Sequence, residues 1–233
     1  MLNTEIDFRE ITNLDNFSGI IPIFPLSTVV FFPNTLLPLH IFEPRYREML
    51  RDAENSEKLL GMTLLRPGWE KDYFGNPDVF NITGIGRIIS SETFEDGKSN
   101  VVLYGLKRAK IVEIFNDKSY RTARIELLEN ISEKSSEVLK EKILYMISTW
   151  NDMLDERHEN YKIKVNAELS LGKLTDILAS VLISNVFEKQ KFLEELNIDK
   201  RAEMIFSFLE ARSKMLAVTS ARQSEIVNKR NLN

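Results

Sequence analysis

The chain has no cysteine and only two histidines. The first absence excludes disulfides and thiolate metal sites. The second leaves His40 and His158 as the sole imidazoles for metal or acid–base work. An excess of either charge is also missing. The 31 basic and 35 acidic side chains give a net charge of −4 over 233 residues. The net is −3 over residues 1–19, −1 over 20–130 and 0 over 131–233. Neither long stretch has the surplus of Lys and Arg that neutralising phosphates demands, so nucleic acid is not an expected partner. No apolar run approaches the length needed to span a bilayer. The opening residues, MLNTEIDFREITNLDNFSG, carry acids and lack the apolar centre of a signal peptide. The expectation is a cytoplasmic globular protein, with residues 1–19 as a solvated acidic arm.

Proline is absent after Pro77, and after Gly105 the only glycine is Gly172. The first half is therefore turn-rich and the second is free to form long helices. The change falls near ENISEKSSE, residues 129–137. The reading is α+β: a β-rich pseudo-barrel subdomain with one helix over 20–130, then a helical subdomain over 131–233 ending in a long helix. In the first half, IPIFPL and TVVFF read as strands, as do residues 59–65, 80–91, 109–115 and 120–127. A helix is expected to open at Pro44, with Tyr46, Met49, Leu50 and Ala53 on one face. Asp96-Gly97 between TFE and VVLYGL predicts a hairpin over 93–106. Gly84 and Gly86 predict a bulge or a close backbone approach. In the second half, two stripes stand at helical spacing: Leu139, Ile143, Met146, Trp150 and Met153, then Leu171, Leu174, Leu178 and Val181. FEKQKFLEEL reads as a short helix. Asp199 is expected to cap the last one, which carries Ala202, Ile205, Leu209 and Leu216.

Three short motifs come near known chemistry and miss it. Gly97-Lys98-Ser99 lacks the earlier glycine of a phosphate loop, since position 92 is Glu92, and it sits in a predicted hairpin. Gly84-Ile85-Gly86 lacks the third glycine of a dinucleotide fingerprint, since position 89 is Ile89. His158-Glu159 lacks the second histidine of a zinc-protease helix, since position 162 is Lys162. No serine stands in a Gly-x-Ser-x-Gly turn. The expectation is no catalytic residue, no metal and no cofactor.

The stretch from Ile21 to Met49, IPIFPLSTVVFFPNTLLPLHIFEPRYREM, holds five of the seven prolines within apolar sequence. It resembles the opening signature of the Lon N-terminal domain family, the substrate-recognition module at the front of Lon proteases. A domain of the same family occurs in cereblon. Lys189-Gln190-Lys191-Phe192-Leu193-Glu194, followed by Lys200-Arg201, is similar to the helical end of that domain, so the resemblance spans roughly residues 20–217. The ATPase and Ser–Lys peptidase modules of Lon proteases have no counterpart in these 233 residues. Neither has the cysteine-bearing zinc domain of cereblon. The resemblance implies a non-catalytic module that binds unfolded or partner polypeptides, in substrate recognition or as an adaptor linked to proteolysis. It also implies an alternative, RNA binding through a PUA-like β-domain with Lys107, Arg108, Lys110, Arg121 and Arg124. A hydrolase site unreadable in the sequence is a third class.

Phe31, Phe32, Ile41, Phe42 and Tyr46 are expected in the core of the β-domain, where a small domain needs its aromatics. Glu43 is expected to balance the start of the helix at Pro44. The loop RPGWEKDYFGNPDVF differs, because Trp69, Tyr73 and Phe74 stand among turn residues. They are the candidate protein-binding residues, since loops run on the surface and aromatics there favour contact. The alternative is that the loop folds back over the β-domain.

Overall fold

Proline spacing decides how the chain enters its fold. The computed structural model describes residues 8–15, 17–72, 75–131 and 136–230. The chain divides into two compact units: Met1–Glu129 with Asp176–Leu196, and Asn130–Thr175 with Asn197–Asn233. The first unit opens with a short helix, α1 (Phe8–Thr12). It continues through β1 (Ile20–Leu26), β2 (Leu36–Ile41), α2 (Pro44–Glu54), β3 (Leu59–Leu64), β4 (Ile82–Thr93), β5 (Ser99–Phe115) and β6 (Thr122–Leu128). The strand order is β2-β5-β4-β3-β1-β6, and β6 pairs again with β5. Five strands thus close into a barrel, and β2 adds a flap along β5. β1 and β3 run parallel; the other pairings are antiparallel.

The length of β5 makes the closure possible. Its first half, Ser99–Tyr104, pairs with β2, and its second half, Arg108–Phe115, pairs with β6. The hairpin from β4 turns at Gly97, whose φ is 77°. β3 is buried at all six positions. Leu60 and Met62 join the cluster around α2, while Leu59 joins the cluster of Ile21, Ile23, Ile85, Ala109 and Ile125. α2 starts at Pro44, where the missing donor costs nothing, and buries Tyr46, Met49, Leu50 and Ala53.

TVVFF is not a strand; β2 begins later, at Leu36. Val30, Phe31 and Phe32 are buried all the same. A Cβ at residue 84 would lie 1.8 Å from the Phe31 carbonyl oxygen, and one at residue 105 would lie 2.1 Å from that of Phe32. The segment therefore presses its backbone onto β4 and β5 where side chains are missing. Asn34 N–H donates to the Gly105 carbonyl, and Gly105 N–H donates to Thr35. The expected bulge is present as well, as a register shift between Ile85 and Gly86.

Phe42 is a second departure: it is 57 % exposed, whereas Phe31, Phe32, Ile41 and Tyr46 are buried as expected. Adjacent residues at a strand end face opposite ways, so burying Ile41 turns Phe42 outward, where its ring lies 6.2 Å from that of His40. The arm is a third, because Leu14 and Phe17 pack against the barrel cluster instead of standing in solvent.

Later in the chain come α3 (Ser136–Asp152), α4 (Leu171–Leu182), α5 (Val186–Glu194) and α6 (Ile198–Arg230). α3 buries Ile143, Ile147 and Trp150, while Met153 lies beyond its end and is exposed. α4 buries Leu171, Leu174 and Leu178, but Val181 points to solvent and Leu182 is buried in its place. The first expected stripe ran one residue too far, and the second left the buried face at its last member. Asn197, not Asp199, caps α6, accepting from the Lys200 N–H at 3.0 Å. Ala202, Ile205 and Leu209 are buried along α6 and Leu216 is half-buried. Within the second unit the Arg212 guanidinium lies 4.9 Å above the Trp150 ring, and Asn151 exchanges two hydrogen bonds with the Ile163 backbone.

Residues 176–196 belong to the first unit and are fastened there by buried polar contacts. Arg108 on β5 donates to both carboxylate oxygens of Asp176, at 3.1 and 2.6 Å, and to the Leu193 carbonyl at 2.8 Å. Gln190 donates to the Ile82 carbonyl at 2.9 Å.

Gly84→Ala is expected to destabilise the fold by at least the 1–3 kcal/mol typical of overpacking, since the Phe31 backbone has to move. Phe42→Ala should stay within about 0.5 kcal/mol of the parent, as substitutions at exposed positions do. Urea denaturation of both variants checks the pair, and a neutral Gly84→Ala would refute the close approach.

Candidate functional site

Four segments of the first unit converge on a cleft of about 310 Å³: residues 25–27, the start of α2, the 65–77 loop and residues 116–121. Its walls are aromatic and cationic. Tyr46 and Tyr120 are buried, and Trp69 is half-buried, one side packed against the barrel cluster. Arg45 lies over the Tyr46 ring, 4.6 Å from its centroid. The Tyr46 ring in turn meets Phe24 at 4.2 Å. Arg121 is buried and donates to the Pro77 carbonyl at 2.8 Å, tying the end of the aromatic loop to β6.

Two of the cleft's cations, Arg45 and Lys118, are matched by carboxylates within the protein. Arg45 pairs with Glu43 at 3.0 Å. Glu43 stands at the helix start as expected, yet makes no capping bond there. Lys118 donates to Asp52 at 2.6 Å and to the Tyr120 hydroxyl at 3.1 Å, and Tyr120 donates to the same Asp52 oxygen at 2.5 Å. The Lys118 hydrogen bond, then that of Tyr120, holds the Asp52 carboxyl below its ordinary value. The bond to Asp52 pushes the Lys118 amine up. Burial first, then Asp52, raises the Tyr120 phenol. A cleft with a half-buried tryptophan in its wall and two of its cations already paired can hold a chain by aromatic contact and backbone hydrogen bonds.

Of the three candidate residues, Trp69 stands in the cleft wall on a short 3₁₀ turn, Trp69–Asp72. Tyr73 and Phe74 lie outside the described residues. Of the five basic residues considered for RNA, four are engaged within the protein. Arg108 is buried against Asp176, Arg121 lines the cleft, Lys107 pairs with Glu129, and Arg124 lies 3.5 Å from Glu113. His40 bonds Asn100 at 2.8 Å and His158 bonds Asp155 at 2.6 Å. Among the described residues no three His, Asp or Glu side chains gather as a metal site would require. No described helix is long and apolar enough to cross a membrane. Sequence reasoning missed Tyr120 and Arg121 as cleft residues. Their signal is weak, because a strand start after NDKS looks like any other.

Asp52→Asn tests the network. A carboxylate whose value is lowered on folding adds stability above its unfolded pKa, near 4, and loses it as pH falls through the lower folded value. Lys118 has the opposite sign: its share is complete below the ordinary amine value and is lost only at higher pH. The pair is well exposed, so Asp52→Asn should cost about 0.2–1 kcal/mol at neutral pH. That gap should close on acidification below about pH 4. A gap that stays constant down the acid limb, measured by urea denaturation at stepped pH, would contradict the assignment.

Residues 20–211 match the family described as the ATP-dependent protease La (LON) substrate-binding domain. The Lon protease of Dictyoglomus thermophilum is 25% identical over 222 residues, which cover 94% of this chain and 28% of that protein. The Lon protease of Syntrophus aciditrophicus is 27% identical over 229 residues, covering 95% and 29%. The chain thus spans under a third of the length of these curated relatives. The N-terminal domain of Mycobacterium avium complex Lon protease superposes with a TM-score of 0.59 at 15% identity, over 82% of this chain and 98% of that one. The Lon N-terminal domain protein from Xanthomonas campestris gives 0.59 at 18%, over 81% and 97%. With the barrel, the flap and the helical end in place, and the family match running through both units, the chain belongs to the Lon substrate-binding domain family.

Proposed function

We propose that this chain is a non-catalytic polypeptide-recognition module linked to proteolysis, and that it takes an extended segment of unfolded or partner protein into the Trp69 cleft. The observation that carries the reading is the character of that cleft: the half-buried Trp69 ring, backed by the buried Tyr46 and Tyr120, beside the cations Arg45 and Lys118, already paired within the protein. Aromatic faces give large contact area at low side-chain entropy cost. Paired charges leave specificity to shape and backbone hydrogen bonding. That is the requirement for a module that has to accept many sequences. Substrate recognition in the family points the same way. The engagement of four of the five basic side chains within the protein supports this reading over an RNA-binding one, since phosphate contact needs their charge. A cytoplasmic setting fits the same role.

Trp69 reports on the cleft directly, because the second tryptophan, Trp150, can be replaced. In a Trp150→Phe chain, titration with reduced and alkylated ribonuclease A, an unfolded polypeptide without tryptophan, is expected to shift the Trp69 emission to the blue and saturate. The Trp69→Ser, Tyr73→Ser, Phe74→Ser chain, folded by circular dichroism, should lose at least ten-fold in affinity for the same polypeptide. Equal affinity in the folded triple variant would move the site elsewhere. The same purified chain is expected to turn over neither ATP nor casein; turnover surviving rigorous purification would overturn the non-catalytic reading.

A further inference from the structure

The segment before β1 is held on the first unit by the two kinds of contact that a sequence-tolerant peptide site needs. The first kind grips backbone. The Arg87 guanidinium donates through Nη2 to the Asn13 carbonyl and through Nη1 to the Glu57 carbonyl at 3.3 Å. The Glu57 carboxylate accepts the Ser18 N–H at 2.9 Å. The second kind is apolar. Phe17 N–H donates to the Leu14 carbonyl at 3.0 Å, a turn that carries both side chains onto the barrel cluster. Neither contact reads a feature peculiar to this segment: one needs a peptide carbonyl and a peptide N–H, the other two apolar side chains three residues apart.

The arm leaves the groove partly used. A space of about 290 Å³ remains between Glu10, Asn13, Leu14 and Phe17 on one side and Glu57, Leu59 and Arg87 on the other. On two of these lining residues, Glu57 Oε2 and Arg87 Nε are buried without hydrogen-bond partners while the arm is in place. Buried polar atoms are nearly always satisfied, so a carboxylate oxygen and a guanidinium N–H flanking one groove mark capacity for further backbone contacts. The residues of the groove and those of its occupant also differ in standing. Glu57, Leu59 and Arg87 lie within the stretch matched to the family, which starts at residue 20; the arm precedes it.

We infer that this groove is a second peptide-binding site, for a polypeptide segment bearing two apolar side chains three residues apart, and that Leu14 and Phe17 with their flanking backbone occupy it in cis as a displaceable strap. The inference rests on the polypeptide-recognition reading. A tethered occupant competes at high effective concentration, so the strap screens out weak segments and yields to those that also satisfy Glu57 and Arg87.

The test uses full-length chains and a fluorescein-labelled peptide of the arm, FREITNLDNFSG, read by anisotropy. The Leu14→Ser, Phe17→Ser chain, its strap released, is expected to bind this peptide at least ten-fold more tightly than the unaltered chain. A peptide carrying the same two serines should not bind it. A folded double variant that binds no better than the parent, or that binds both peptides alike, overturns the inference. Should the double variant not fold, the Trp150→Phe chain with its arm intact decides. Saturating reduced and alkylated ribonuclease A is expected to speed proteolysis within the arm several-fold, and unchanged cleavage while Trp69 reports bound polypeptide overturns the strap. The two readings fail separately: polypeptide binding indifferent to strap release removes the groove alone, whereas no binding of unfolded polypeptide to any chain removes the recognition reading and the groove with it.

Discussion

One buried cation organises the first unit. Arg108 stands on β5 opposite Gly84 on one side and Leu128 on the other, and both it and Asp176 are 1 % exposed. Two charges taken out of water cost several kcal/mol each, which only good geometry and full hydrogen bonding can offset. Here the guanidinium meets the carboxylate through two bonds and gives its Nε to the Leu193 carbonyl, with a longer contact to Phe192. Phe192 and Leu193 are in the last turn of α5, whose carbonyls have no partners within the helix and where positive charge is favoured. A single side chain thus satisfies the acid on α4, closes the end of α5 and joins both to the barrel.

The glycines serve the same economy of space. The stretch through Phe31 and Phe32 carries no strand hydrogen bonds of its own. It is buried because Gly84 and Gly105 let its carbonyls approach the sheet. That crossing delivers the chain to β2, and β2 leads straight to Pro44 and α2. Tyr46 on α2 and Tyr120 just before β6 are distant in sequence and meet in the cleft wall. The cleft is therefore fixed by the barrel beneath it. The arm lies on the same barrel, so both candidate peptide sites share one rigid base.

Local features were legible in the sequence. Pro44 announced α2, Asp96-Gly97 the hairpin, and Gly84-Ile85-Gly86 the close approach. Each is a backbone constraint carried by the residue itself. What was illegible depends on partners distant in sequence. Arg108 looks like one member of a basic cluster until Asp176 is placed beside it. Residues 176–196 read as part of a helical run, and nothing in their periodicity says that they return to the barrel. Phe42 looked like core by composition, although its neighbour Ile41 could only be buried at its expense. Asn197 was overlooked as a cap because Asp199, two residues on, carries an equally strong signal. The cleft was half visible: Trp69 stood out as an aromatic among turn residues, but Tyr120 and Arg121 did not.

The first unit depends most on the Arg108–Asp176 pair, and a double-mutant cycle measures it directly. Arg108→Met, Asp176→Leu and the double variant would be compared with the parent by urea denaturation. Each single change leaves a buried charge unpaired and is expected to cost about 3–5 kcal/mol. The double variant leaves none and should cost markedly less than the sum, with a coupling of about 2 kcal/mol or more. Single variants near the parent in stability, with strictly additive effects, would contradict the claim that this pair fastens residues 176–196 to the barrel.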